Sequence, residues 1–242
     1  MNIKSVVVLT GAGVSAESGL KTFRDNGGLW EGHRVEEVAT PEAFRRNPRL
    51  VNDFYNLRRK QLGSGEVQPN AAHRALAEFE KRFAGDFLLI TQNVDDLHER
   101  AGSERLLHMH GELRKMRCSV SNRVFECGTD IDASHCCSCC NYRGTLRPHI
   151  VWFGEIPLGM DIIDTAVSRC DLFIAIGTSG AVYPAAGLRQ LADAFGAHTV
   201  ELNMEPSLSG HQFDDSYYGP ASEVVPQYFN RLFSSLTTHT DR

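Results

Sequence analysis

Several short stretches of this sequence carry side chains that bind, polarise or move protons. Thr91-Gln92-Asn93-Val94-Asp95-Asp96-Leu97-His98 places amide, carboxylate and hydroxyl groups directly behind the apolar run 87–90. An Asn with an Asp two residues on offers complementary donors and acceptors for a carboxamide, and the same residues serve equally as caps for a following helix. In Leu106-Leu107-His108-Met109-His110-Gly111, two histidines at i and i+2 share one face if the segment is a strand, so spacing alone does not choose between them. His110, beside a glycine and at the mouth of a cysteine-rich segment, is the better general-base candidate; His108 reads as buried and hydrogen-bonded. With thiolates so near, the pair is a weaker candidate for zinc.

Six of the seven cysteines fall between Cys118 and Cys140, and four of them lie in the run Cys136-Cys137-Ser138-Cys139-Cys140. Such clustering favours a metal over disulfides. A structural zinc site wants four ligands from two C-x-x-C knuckles. Cys137 and Cys140 form one knuckle, with Cys136 and Cys139 an equally spaced alternative. The other knuckle has serine in its second position, Cys118-Ser119-Val120-Ser121, so a fourth ligand beyond Cys118, Cys137 and Cys140 is Cys127, Cys139 or none. Cys170, before the apolar run 172–176, is a core thiol.

These groups must be positioned by a scaffold. Apolar runs at 6–9, 87–90, 172–176 and 199–202 are too continuous to alternate and read as strands buried on both faces. Between them lie helical patterns at 70–79 and 183–195, and a third follows Pro226, which suits a first helical turn. Strands alternating with helices predict an α/β, Rossmann-like, doubly wound parallel sheet. The first strand runs into Gly11-Ala12-Gly13-Val14-Ser15-Ala16, the G-x-G-x-x-A form of a dinucleotide loop. A redox Rossmann unit would continue to a second strand ending in an acidic residue. Here Thr22-Phe23-Arg24-Asp25-Asn26-Gly27-Gly28-Leu29-Trp30 follows instead. Gly177-Thr178-Ser179 and Asn203, at two later strand ends, suit phosphate and ribose, though simple turn chemistry accounts for each alone.

At 242 residues with 42% hydrophobic and 23% charged residues, the chain is of ordinary globular composition, and its net charge of -5 offers no basic footprint for nucleic acid. No apolar run approaches the roughly 20 residues of a membrane span. A cytoplasmic, monomeric protein is expected, without nucleic-acid or membrane partners.

In this order GAGVSAESGLKTFR, TQNVDDLHERAG, HMHG, the cysteine module, VWFGE and GTS resemble the sirtuins, over residues 6 to about 225. ATPEAF, QPNAAH and VYPAAG look most like the bacterial deacylases of the CobB type. The resemblance implies a Rossmann-like NAD-binding domain from residues 1–24, 70–111 and 148–242, a helical insertion at 25–69 and a structural zinc module at 112–147. It implies that NAD is consumed: the acyl oxygen of an acyl-lysine attacks the anomeric carbon, nicotinamide leaves, and free lysine and O-acyl-ADP-ribose result. Carried over, His110 is the base, assisted by Asn93 and Asp95, with Gln92 and Val94 beside them. Gly11, Ala12, Gly13, Ser15, Glu17, Phe23, Arg24 and Trp30 line the cofactor and its loop, and Gly177, Thr178, Ser179, Asn203, Met204, Glu205 and Ala221 its ADP-ribose end. Backbone of Val151, Trp152, Phe153, Gly154 and Glu155, with the segment near Gly180, clamps the peptide as an added strand.

Tyr55 and Arg58 are one helical turn apart within a helix read at 49–61, so both can face one pocket. This Y-x-x-R pair resembles class III sirtuins, in which hydroxyl and guanidinium bind the carboxylate of a succinyl group. Ala39, small enough to leave the channel wide, agrees. Without the resemblance, Arg58 in the run Arg58-Arg59-Lys60 reads as solvated. Mono-ADP-ribosyl transfer and a non-catalytic NAD-sensing module are the alternatives to a lysine deacetylase and desuccinylase.

Overall fold

The computed structural model describes residues 3–20, 29–30, 32–208 and 210–237, with the backbone alone at 29–30. Six strands form the central sheet: β1 Ser5–Thr10, β4 Asp86–Thr91, β5 Leu106–His108, β9 Leu172–Ile176, β10 His198–Asn203 and β11 Asp215–Tyr218. They are ordered β11-β10-β9-β1-β4-β5 and every pairing is parallel. From β1 the chain first builds outward through β4 and β5, then returns to add β9, β10 and β11 on the other side. The order therefore reverses beside β1, and the crevice at the carboxyl ends there is the ligand position of such sheets.

Alternation along each strand sorts its side chains to two cores. Val6 and Val8 of β1 join Leu89, Ile174 and Val200 on one face, packed against Leu76 and Phe79 of α4 (Ala71–Arg82) and Phe229 of α8 (Ala221–Thr237). Val7 and Leu9 join Ile90 and Phe173 on the other, against Ile163 of α6 (Met160–Val167) and Leu188 of α7 (Leu188–Ala194). Burial of each such side chain contributes about 1.5–3 kcal/mol.

The helix placed after Pro226 in fact begins at Ala221, with Pro226 inside it. Glu17 explains the earlier start. Its carboxylate accepts from the Ser222 amide at 2.8 Å and hydroxyl at 2.6 Å, supplying a cap that the local sequence lacks. The helical pattern at 183–195 resolves into a 3-10 turn, Ala185–Gly187, leading into α7.

Two insertions stand beside the sheet. The first holds β2 (Leu29–Trp30), β3 (His33–Arg34), α1 (Val35–Val38), α2 (Pro41–Arg46) and α3 (Pro48–Leu62). Asn47 caps α3 through the Leu50 amide, with Pro48 at the first helical position. After α5 (Leu97–Ala101), the second insertion forms an antiparallel sheet β7-β6-β8 of Val124–Glu126, Gly111–Cys118 and Leu146–Ile150. Val38, Val51, Phe54, Tyr55, Leu113, Ile150 and Trp152 make the core shared by these insertions.

Candidate active site

The cleft floor is built from strand ends. Thr10 passes into Gly11 and a 3-10 turn, Ala12–Ser18, that lies against the end of β9. A Cβ on Gly13 would stand 2.7 Å from the Gly177 Cα, and one on Gly11 2.8 Å from the Gly177 oxygen. Only glycine permits this approach, so the G-x-G spacing here joins two strand ends. Ala12 and Glu17 are exposed on the turn, whereas Ser15 is buried beneath it.

Ser15 is the hub of a buried network. Its hydroxyl donates to Asp95 Oδ2 at 3.1 Å, accepts from Asn93 Nδ2 at 3.1 Å and lies 3.4 Å from His73 Nε2. Asn93 Nδ2 also reaches the Gly11 carbonyl at 3.2 Å. Asp95 accepts from the Leu97 amide at the start of α5 at 3.1 Å, while Asp96 occupies the N-cap position without a side-chain cap bond, so a bond to the first turn of the helix and the cleft position coexist. Burial raises the Asp95 carboxyl to about 6, against the hydrogen bonds from Leu97 and Ser15. Gln92 Nε2 donates to Thr178 Oγ1 at 3.1 Å, and Asn203 Nδ2 to the Thr178 carbonyl at 2.9 Å, tying β4, β9 and β10 together. Val94 gives its carbonyl to the Leu113 amide. Ser179 is half-buried after β9 and Met204 exposed after β10, with Glu205 following Met204 and Ala221 opening α8. Phe23, Arg24 and the side chain of Trp30 lie outside the described residues.

The two histidines occupy different settings. β5 ends at His108, and His110 stands in the turn before β6, so they do not share a strand face. His110 Nδ1 meets the Gln92 carbonyl at 3.1 Å. A carbonyl only accepts, so Nδ1 carries the hydrogen and Nε2 is the nitrogen that can take a proton. Burial holds its pKa below the ordinary histidine value, outweighing that bond, and the ring is a neutral base at neutral pH.

The wall opposite comes from the insertions. Tyr55 is fully buried, its oxygen accepting from Trp152 Nε1 at 3.0 Å, and burial pushes its pKa well above the ordinary value, so the phenol stays neutral. Arg58 stacks over the Phe54 ring at 4.5 Å rather than standing in solvent. Ala39 is buried beside them, and its carbonyl accepts from the Phe153 amide at 3.0 Å. The Val151 amide donates to the His110 carbonyl at 2.9 Å, and Gly154 turns with φ 89°. Glu155 takes Arg147 at 2.7 Å, Arg117 at 2.8 Å and the Trp152 amide at 2.8 Å, which fixes this loop.

Cys118, Cys137, Cys139 and Cys140 bring their sulfurs within 4.8 Å of one another. Cys118 and Cys140 are 3.7 Å apart, close to the about 3.8 Å expected between thiolates 2.3 Å from a tetrahedral zinc. The set fits a closed structural zinc site, with Cys139 as its fourth member. Cys127 is elsewhere, its thiol donating to the Thr129 carbonyl and facing Arg59.

Motif reasoning missed several contributors. His73 and His98 sit under the floor with ring centroids 4.8 Å apart, and burial takes His73 down to about 4. The readable signal for His73 was a polar residue on the mostly apolar buried face of α4. Asn56, whose side chain bonds both the amide and carbonyl of Ile131, and Arg59, which donates to the Leu113 carbonyl, gave no local signal.

The sequence model of the Sir2 family matches residues 11–184. An NAD-dependent protein deacylase of Salmonella typhimurium is 59% identical over 231 residues, covering 96% of this chain and 85% of the relative. One of Pasteurella multocida is 60% identical, covering 92% and 95%. Among solved structures, a Sir2 homolog–NAD complex is similar with TM-score 0.87 and 41% identity, covering 97% and 91%. A Sir2 homologue in complex with ADP ribose gives 0.88 and 40%, covering 97% and 94%.

Proposed function

The chain belongs to the Sir2 family and is an NAD-dependent protein deacylase, and on that premise we propose that it removes acetyl and succinyl groups from lysine side chains, releasing nicotinamide and O-acyl-ADP-ribose. The observation that carries the reading is His110, neutral and with Nε2 able to accept a proton, its carbonyl bonded at 2.9 Å to the Val151 amide of the segment that would hold the peptide. NAD supplies the electrophilic ribose carbon, and the residues do the rest. Asn93, Ser15 and Asp95 orient the nicotinamide ribose and carboxamide; Gln92, Thr178 and Asn203 hold the ADP-ribose end at the strand termini, with Gly11, Gly13 and Gly177 allowing close backbone approach. His110 would take the proton from a ribose hydroxyl as that oxygen attacks the acyl carbon; the acyl C–N bond then breaks, the lysine amine leaves with a proton, and one water is consumed to give O-acyl-ADP-ribose.

Cys118, Cys137, Cys139 and Cys140 would hold zinc away from this chemistry, so the metal supplies rigidity and no reacting group. The peptide is left the Gly154 amide and the Val151 and Phe153 carbonyls, because the Val151, Trp152 and Phe153 amides are already engaged. For an acidic acyl group, the neutral Tyr55 hydroxyl and the Arg58 guanidinium are the donors that match a carboxylate. Conversion of succinyl- and acetyl-lysine peptides by the wild type and by the Tyr55→Phe/Arg58→Met double variant tests this. A selective loss on succinyl-lysine supports it, and equal losses on both would remove the carboxylate pocket.

A further inference from the structure

The first histidine of the HMHG stretch has no part in the chemistry above, yet its surroundings are more constrained than those of His110. His108 Nδ1 lies 3.1 Å from the Asn93 carbonyl and Nε2 lies 2.8 Å from Glu99 Oε1. A carbonyl oxygen only accepts, and so does an ionised carboxylate. Both ring nitrogens must therefore carry hydrogen, and the ring is an imidazolium.

We propose that His108 is a positioning residue, an imidazolium held at both nitrogens that fixes the Asn93 carbonyl and so sets residues 92–95 for the cleft. The proposal rests on the reading of Asn93 and Asp95 given above. The two histidines then grip successive carbonyls of one strand end, Gln92 by His110 and Asn93 by His108, with opposite protonation. The difference is Glu99, for which His110 has no counterpart among the described residues.

The groups facing His108 agree. Glu99 comes from α5, Glu112 and Lys115 from β6, Asp95 from the cleft turn and His98 from beneath it. Lys115 binds Glu112 at 2.9 Å, leaving Glu99 as the direct counterion of His108. Burial opposes charge on His108, but the hydrogen bond and charge of Glu99, then Glu112, outweigh it and raise its pKa. Burial likewise opposes ionisation of Glu99, yet its bond to His108 holds that carboxyl below the ordinary range. The imidazolium also favours the ionised form of buried Asp95, so its loss would weaken both the geometry and the charge of the turn.

Histidine-selective NMR across the neutral pH range, beside pH profiles of kcat/KM for NAD with an acetyl-lysine peptide, tests this on the full chain. In the wild type, His108 should keep both ring hydrogens at a pH where His110 has lost one, with His110→Ala used to assign the signals. Glu99→Gln should move the His108 titration to lower pH and shift the alkaline fall of kcat/KM the same way. The expected loss is severalfold above neutral pH and small below it, with melting temperature retained and Glu99→Asp restoring part of the profile. A neutral wild-type His108 at a pH where His110 is neutral would overturn the proposal. So would a Glu99→Gln profile that superimposes on the wild type although the His108 titration has moved. The wild-type NMR needs no variant to fold and no turnover, so absence of deacylation would count against the site reading and not against the charge of His108.

Discussion

The two walls of the cleft are held by different means. The strand-end wall is fixed by continuity: Gly11, Gln92, Asn93, Gly177 and Asn203 each follow or end a buried strand, and their polar groups bond to the next strand's terminus. The insertion wall has no such frame. Tyr55 and Arg58 ride on α3, which is held to the cysteine module by side chains: Asn56 on Ile131, Arg59 on the Leu113 carbonyl and Lys60 on Asp130 at 2.7 Å. Asn56 and Arg59 are buried and bonded to each other at 2.9 Å, so their polar cost is largely met, whereas the Lys60–Asp130 pair is exposed and contributes little. Chemistry common to every substrate would then sit on the rigid wall, and acyl selectivity on the wall assembled by clamps and metal.

Metal removal should separate the walls most sharply. Structural zinc in small modules contributes on the order of 10 kcal/mol, so Cys139→Ser should lose the bound zinc and loosen residues 112–147 while the central sheet stays folded. Metal content and hydrogen exchange would show this; retained zinc in Cys139→Ser, with loss in Cys127→Ser, would reverse the ligand assignment. Next comes the rigid wall. His110→Ala should lower deacylation by about 10²–10⁴-fold and leave NAD binding, measured by calorimetry, nearly unchanged. Wild-type turnover should fall as pH drops through the depressed His110 pKa, because the protonated ring accepts nothing.

Asp95→Asn should stabilise the fold while abolishing turnover. With its carboxyl raised to about 6 from 3.8, the folded state binds more protons than the unfolded one between those values. Wild-type stability therefore falls as pH rises through that window, by up to about 3 kcal/mol at neutral pH. The variant, which carries no such charge, should melt higher than wild type at pH 7 and converge with it in acid. The smallest effect belongs to the clamped wall. Tyr55→Phe with Arg58→Met should cost desuccinylation about 1.5–3 kcal/mol, roughly tenfold or more, and deacetylation much less. Asn56→Ala should move the same ratio in the same direction if α3 is positioned by its grip on Ile131.

This division also explains what the sequence revealed. The strands at 6–9, 87–90 and 172–176 were legible because burial on both faces leaves an unbroken apolar run, and polar residues after such runs can only sit at strand ends. Asn93, Asp95 and Asn203 were placed at or just beyond strand ends that way. Spacing alone did not separate His108 from His110, and only the glycine and cysteine-rich segment beside it favoured His110; the charge difference between the rings was illegible because it depends on Glu99 arriving from α5, and Cys139 could not be chosen over Cys127 because ligation depends on how two hairpins fold together. Pro226 misled because the cap of its helix is Glu17, more than two hundred residues away. Asn56 and Arg59 were unreadable for the same reason: each bonds to backbone brought near only by the finished fold.

The proposed reaction couples cleavage of NAD to deacylation of lysine in one cleft, acidic acyl groups included. Mass spectrometry of acetyl- and succinyl-lysine peptides incubated with the protein, with and without NAD, tests it most directly. Both should be converted to unmodified lysine only with NAD present, with nicotinamide and O-acyl-ADP-ribose formed in equal amounts. Unchanged peptides with NAD present, or ADP-ribose appearing on protein in place of free O-acyl-ADP-ribose, would contradict it.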